Sequence, residues 1–250
     1  MKKTAIAVAL AAACAVGCGG TNKEYVTPHR LERGLVIILP GIEGEGGFTY
    51  DIRRGLLRSA VDMALPIHSW GRPIPLAGPL INQMDIIGNR IAAKRIAQMV
   101  TDYQDSHPDR PVYIIGHSGG GGVAVFAAEA LPDDRKLEGL ILLSASISKT
   151  YKLTKALSHC RSGIVNFYSS QDVGILGVGT TLFGNVDGIR GPSAGLAGFD
   201  KKPIGLYEIA WREEMASSGH FGGHGDSTKP GFIRAYVAPW VLTTEWPAGR

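Results

Sequence analysis

Gly116-His117-Ser118-Gly119-Gly120 sets one hydroxyl among glycines, directly after the apolar run Val112-Tyr113-Ile114-Ile115 and ahead of an Ala/Val-rich stretch. A serine at a tight strand-to-helix corner stands clear of the backbone, and flanking glycines let strand and helix approach closely. The chemistry such a corner supports is nucleophilic attack. The first turn of the following helix adds N–H groups that stabilise an oxyanion. The five-residue pattern is weak alone in a chain with 34 glycines, so its context decides. Gly191-Pro192-Ser193-Ala194-Gly195 fits it too. That copy follows Gly188-Ile189-Arg190, which is no strand, and Pro192 restricts the residue before it to an extended shape. Ser118 is the candidate nucleophile and Ser193 is set aside.

The elements that must carry Ser118 alternate. Leu35-Val36-Ile37-Ile38-Leu39 is a continuous apolar run, as in a strand buried on both faces. Residues 48–60 can be helical, and 65–70 read as a second, weaker strand. Asp85 can cap a helix on which Ile96, Met99, Val100 and Tyr103 recur at three- and four-residue spacing, ending before Pro108. The strand 112–115, a helix over 119–131, a strand 140–143, a short helix near 152–159 and a strand 164–168 follow. The strand 206–211 and a helix from about 231 to 241 complete the pattern. This is an α/β chain with a mostly parallel wound sheet and helices on both faces. Ligands of such sheets bind beyond the carboxyl ends of the strands. Residues 173–203 are glycine-rich and aperiodic, and a loop of that length suggests a pocket wall or lid.

The chain of 250 residues is long enough for one sizeable core, and 44% hydrophobic with 19% charged residues is ordinary for a globular protein. Met1-Lys2-Lys3 followed by the apolar Thr4 to Val16 reads as a signal peptide over 1–17, too short to span a bilayer. Ala15-Val16-Gly17-Cys18 resembles a bacterial lipoprotein box, with Cys18 as the acylated residue and Ala15 in place of the usual Leu. The expectation is export to the bacterial cell envelope with a membrane anchor at Cys18. Ordinary cleavage after Ala13 or Ala15, giving a soluble periplasmic or secreted protein, is the alternative. Residues 18–33 read as a tether ahead of a domain over 34–250. Loss of Lys2 and Lys3 lowers the formal charge from +4 to +2, which is no footprint for nucleic acid. Cys14 and Cys18 fall in the export segment, so Cys160 is a lone, buried, small apolar residue with no disulfide framework around it.

Several pieces in order resemble the α/β-hydrolases over roughly residues 34–246. They are Leu39-Pro40-Gly41-Ile42 after the first strand, Gly116 to Gly120, Ser169-Ser170-Gln171-Asp172 after a later strand, and a late His beside Gly. The order Ser, Asp, His is that family's. The start at Leu35 implies a reduced sheet that lacks the family's first hairpin. The resemblance implies Ser118 as nucleophile, Asp172 as the residue orienting an imidazole, and an oxyanion hole from the Ile42 and Gly119 amides. Asp187 is the rival acid, but no strand precedes it. Gly219-His220-Phe221-Gly222-Gly223-His224-Gly225-Asp226 offers two bases. His224 is favoured by its distance from the last helix, with His220 as the alternative.

A zinc reading of His220, His224 and Asp226 lacks the helix and the Glu such sites use, so no metal is expected. Gly119 to Gly122 lacks the Gly-Lys-Ser/Thr ending of a phosphate loop, and the chemistry needs no cofactor. His117 is expected to pack or hydrogen-bond locally. His29, His68, His107 and His159 are expected at the surface or rim, and Glu43 and Glu45 to be solvated. Trp70, Pro73 and Leu76 follow a strand end and are candidates for an apolar acyl pocket. The implied function is an exported serine hydrolase, carboxylesterase- or lipase-like, cleaving a small-molecule carboxylic ester or thioester through an acyl-enzyme. An acyltransferase on the same fold, or a catalytically silent envelope-binding lipoprotein, are the alternatives. Oligomeric state is not legible.

Overall fold

The computed structural model describes residues 22–71, 83–172, 184–243 and 245–247. Five strands form one parallel sheet: β1 (Leu35–Leu39), β2 (Val112–His117), β3 (Leu137–Leu143), β4 (Cys160–Tyr168) and β5 (Leu206–Ala210), in that spatial order. The apolar runs alternate between the sheet's two sides. Leu35, Ile37, Leu39, Ile114, Leu140 and Leu142 belong to one buried cluster, and Val36, Ile38, Ile115, Ile141, Leu143 and Val165 to the other. Strands covered on both faces must be apolar at every position, because neither parity meets water.

Helices supply both covers. α1 (Gly47–Arg58) buries Ile52 and Leu56 against the second cluster, with Phe232, Ile233 and Val237 of the C-terminal helix. The two helices touch at Gly55, where a Cβ would lie 2.5 Å from Ile233 Cβ. α2 (Ile86–Ser106) and α3 (Gly119–Glu129) cover the other face, with Ile96, Val100, Val123 and Phe126 in the first cluster. Asp85 caps α2 as the sequence implies, its Oδ1 accepting from Gly88 N at 2.8 Å. The short α4 (Thr154–Ser158) precedes β4.

The expected strand 65–70 is reduced to two parallel bridges, Ala64 to Leu35 and Ile67 to Ile38. Pro66 has no N–H to give, so the segment can serve only as an edge. Its place matters more than its length. From β1 the chain crosses to this outer edge and then returns to β2 on β1's other side. The winding therefore reverses between β1 and β2, and a crevice opens there at the strands' carboxyl ends. Ile42 and Ser118 follow those two strands.

Two further expectations change. Residues 22–33 lie within the expected tether but pack onto the domain. Asn22 exchanges hydrogen bonds with the Ile67 backbone (3.0 and 3.2 Å), and Leu31 is buried with its carbonyl accepting from the Tyr103 hydroxyl at 2.6 Å. The stretch is polar overall, yet Tyr25 and Val26 also pack on the core and Arg30 donates to the Val61 and Met63 carbonyls. The last helix is not uniform: Pro230–Phe232 leads into a π-turn over Ile233–Val237 and then Ala238–Leu242. Pro239 has no amide and its ring crowds the carbonyl four residues back, so the preceding turn widens. Cys160 is buried as expected, and burial pushes its thiol up to about 12.

Candidate active site

β2 runs into Ser118, whose backbone sits at φ 53° and ψ −124°. Such a conformation is strained for a non-glycine residue and marks a functional corner. Two glycines make the corner possible. A Cβ on Gly116 would stand 2.4 Å from Gly120 O, and one on Gly120 would stand 2.2 Å from Pro40 O. The corner is also pinned to the end of β3. Ser118 N donates to Leu143 O, and Ser146 N donates to Ser118 O, both at 2.9 Å.

Asp172 follows β4 in a tight turn, with Asp172 N donating to Ser169 O at 3.1 Å and Gln171 N to Ser169 Oγ at 3.2 Å. The turn aims its carboxylate at the loop between β5 and the last helix. There His224 Nδ1 lies 2.6 Å from Asp172 Oδ2, with side-chain exposures of 8% and 2%. A carboxylate partner draws the proton to Nδ1 and leaves the Nε2 lone pair available, the form a general base needs.

The His224 loop is held from several sides. Asp226 Oδ2 accepts from Phe221 N and Gly223 N at 3.2 and 3.0 Å. The His224 carbonyl accepts from Ser227 Oγ at 3.2 Å and faces His117 Nε2 at 3.3 Å. The His117 and His224 rings lie 4.9 Å apart. The favoured base thus packs against the residue that immediately precedes Ser118. His117, expected to pack or hydrogen-bond locally, instead meets residues far away in the chain, His224, Glu43 and Phe48.

His220 is not brought to Asp172. Its Nδ1 accepts from Gly222 N at 3.2 Å, and its ring meets Phe232 edge-on at 4.6 Å. Burial pushes its pKa down to about 4. Asp187 also stands apart: it accepts from the Ser148 hydroxyl and, at 3.2 Å, from Ser148 N, and burial raises its carboxyl above the usual range. Ser193 caps the helical turn Ala194–Ala197, where its Oγ accepts from Leu196 N at 3.2 Å.

The Ile42 side chain lies beside Gly119. A Cβ on Gly119 would lie 2.8 Å from Ile42 Cγ2 and 3.2 Å from Trp70 Cζ2. Gly119 is the first residue of α3, where an amide has no acceptor inside the helix. Trp70 fixes the facing turn by donating from Nε1 to Pro40 O at 2.7 Å. Of the expected pocket residues, Pro73 and Leu76 lie outside the described residues, as do Cys18 and the segment 173–183.

Other expectations need correction. His107 and His159 are buried, not at the rim: His107 stacks on Tyr103 at 4.6 Å, and His159 Nδ1 lies 3.0 Å from Arg135 O. His68 is partly buried, and desolvation lowers its pKa, whereas His29 is exposed beside Asp62. Glu43 is not simply solvated, since its Oε1 lies 3.7 Å from His117 Nδ1. The serine pair Ser144 and Ser227, with hydroxyls 3.0 Å apart beneath the His224 loop, had no signal in sequence.

Neither a protein-family model nor a curated protein matches the sequence. Solved structures do. Lipase B from Aspergillus fumigatus is similar at a TM-score of 0.51 and 16% identity, over 84% of this chain and 52% of the lipase. The parallel sheet, its reversal between β1 and β2 and this similarity agree. The chain has the α/β-hydrolase fold. A dienelactone hydrolase from Anabaena variabilis (TM-score 0.47, 14% identity, 86% and 85% of the two chains) is also similar. So is a CIB-like hydrolase from Thermoplasma acidophilum (0.46, 15%, 86% and 88%). This α/β-hydrolase sheet begins at β1, with no antiparallel hairpin ahead of it among the described residues. That is the reduced form the sequence implied.

Proposed function

We propose that this chain is a serine hydrolase that cleaves a small-molecule carboxylic ester or thioester. Ser118 Oγ attacks the acyl carbonyl while His224 Nε2 takes its proton. Asp172 holds the imidazole and stabilises its cation. The Ile42 and Gly119 amides receive the oxyanion, and one such donor is typically worth on the order of 100–1,000-fold in turnover. His224 then protonates the leaving oxygen or sulfur. Water repeats the sequence on the acyl-enzyme, with His224 again as base.

The observation that carries this reading is the 2.6 Å contact of His224 with Asp172, made against the residue before Ser118. The strained corner at Ser118 supports it independently. Hydrolysis of p-nitrophenyl acetate and butyrate tests it. Wild type should turn both over, and Ser118→Ala should lose the activity with its circular dichroism unchanged. Retained turnover in Ser118→Ala would refute the assignment.

The same reading places the enzyme in the cell envelope, anchored through Cys18. Its support is the basic, apolar and small-residue order of Lys2 to Cys18. Metabolic labelling with a clickable fatty acid should mark the wild-type protein and fail in Cys18→Ser. Equal labelling of both would exclude that anchor.

A further inference from the structure

His117 is fully buried, yet its two ring nitrogens face different partners. Nε2 lies 3.3 Å from the His224 carbonyl, and Nδ1 has no hydrogen-bond partner. A carbonyl only accepts, so Nε2 carries the hydrogen. In a neutral ring Nδ1 is then a lone pair, and it faces Glu43 Oε1 across 3.7 Å. A lone pair and a carboxylate facing one another repel. A proton on Nδ1 would turn that repulsion into attraction between imidazolium and carboxylate. Burial pushes the His117 pKa below its usual value. Glu43, facing Nδ1, opposes that shift by its charge.

The position of Glu43 gives this pair a use. It directly follows Ile42, and its carboxylate folds back over Gly41, where a Cβ would stand 2.2 Å from Glu43 Oε2. That turn is closed by Gly44 N donating to Gly41 O at 3.1 Å. The groups around the His117 ring are Glu43 from the turn after β1, His224 from the loop after β5, and the apolar Phe48 of α1, edge-on at 5.2 Å. A chain of contacts thus runs from the Ile42 turn through Glu43 and His117 to the carbonyl of His224.

We infer that Glu43 and His117 form a second histidine–carboxylate couple, which touches no substrate and positions His224 relative to the oxyanion turn. The inference rests on His224 being the base. Neither member forms or breaks a covalent bond in the reaction. Both are positioning residues.

Glu43 lies on a partly exposed turn, so its variants disturb the fold less than those of His117. Glu43→Ala removes the carboxylate that faces His117 Nδ1. Glu43→Gln can donate an amide N–H to the neutral ring and keep the link. Histidine-selective ¹⁵N NMR should show His117 protonated at Nε2 in all three proteins. The downfield Nδ1–H resonance of His224 should move in Glu43→Ala and return towards the wild-type position in Glu43→Gln. A hydrogen bond of this kind is worth about 1 kcal/mol net. Ester kcat should therefore fall roughly fivefold to tenfold in Glu43→Ala at unchanged KM, with Glu43→Gln recovering most of it.

An unmoved His224 resonance and unchanged kcat in Glu43→Ala would overturn the couple. So would Glu43→Gln being as impaired as Glu43→Ala. If no variant, wild type included, turns over ester, the hydrolase reading fails. The His224 resonance then still decides whether the couple exists.

Discussion

Asp172 Oδ2 and His224 Nδ1, 52 residues apart in the chain, lie 2.6 Å from one another with almost no exposure to water. In so closed a setting a carboxylate fixes both the tautomer and the orientation of the ring. Asp172→Asn keeps the shape but removes the charge, and its amide can donate to the ring and favour the wrong tautomer. The expected loss in ester kcat is about 10³–10⁴-fold with the melting temperature nearly unchanged. Steady-state kinetics on purified protein measures it, and a loss under tenfold would remove Asp172 from the reaction.

His220 should be dispensable for turnover and matter for stability. Its folded-state pKa, about 4, is lower than the unfolded value of about 6.5. Between those values the unfolded chain binds more protons, so stability falls as pH drops from 6.5 towards 4 and levels off below. His220→Asn can still accept from Gly222 N and cannot protonate. Urea midpoints between pH 4.5 and 7 should therefore depend less steeply on pH in the variant, while kcat at pH 7.5 stays within about threefold of wild type. Burial also lowers His117 and His68, so part of the slope remains. A dead His220→Asn beside an active His224→Ala would reverse the assignment of the base.

Gly120→Ala tests the corner. Its methyl would meet the Pro40 carbonyl oxygen at 2.2 Å and Leu39 O at 2.7 Å. Backbone oxygens cannot swing away as a side chain can, so α3 and β1 must separate. Overpacking of this kind costs about 1–3 kcal/mol or more. Denaturant unfolding should show the loss, and any folded fraction should have weakened activity because Gly119 moves with the helix. A variant as stable and active as wild type would mean the approach is not needed.

The glycine pattern and the five strands of the sheet were legible because each rests on local rules. Only glycine fits positions 116 and 120, and a doubly covered strand must be apolar throughout, as Leu35–Leu39 is. Position after a strand end also pointed to Asp172 and Ile42. The rest depends on contacts that spacing does not encode. Asn22, Tyr25, Val26, Arg30 and Leu31 dock a polar stretch onto partners far along the chain. Pro66 leaves only two bridges where the apolar pattern suggests a strand. Nothing in Glu43 or His117 as residue types announces that the fold will bring them face to face, and the burial of His107 and His159 likewise follows from packing partners far away in sequence.

Trp70→Phe isolates the clamp on the oxyanion turn. It retains the packing beside Gly119 and loses the 2.7 Å bond to Pro40 O. A single hydrogen bond of about 1 kcal/mol predicts a loss of roughly fivefold in kcat. Unchanged kcat would show that the Ile42 turn holds itself.

The central claim is an activated hydroxyl at position 118, and covalent capture tests it most directly. The purified protein would be treated with a fluorophosphonate and followed by intact-mass spectrometry with peptide mapping. The account predicts one phosphonyl adduct, on Ser118, formed quickly in wild type, far more slowly in His224→Ala, and not at all in Ser118→Ala. An adduct on another residue, or none under conditions that label a known serine esterase, would contradict it.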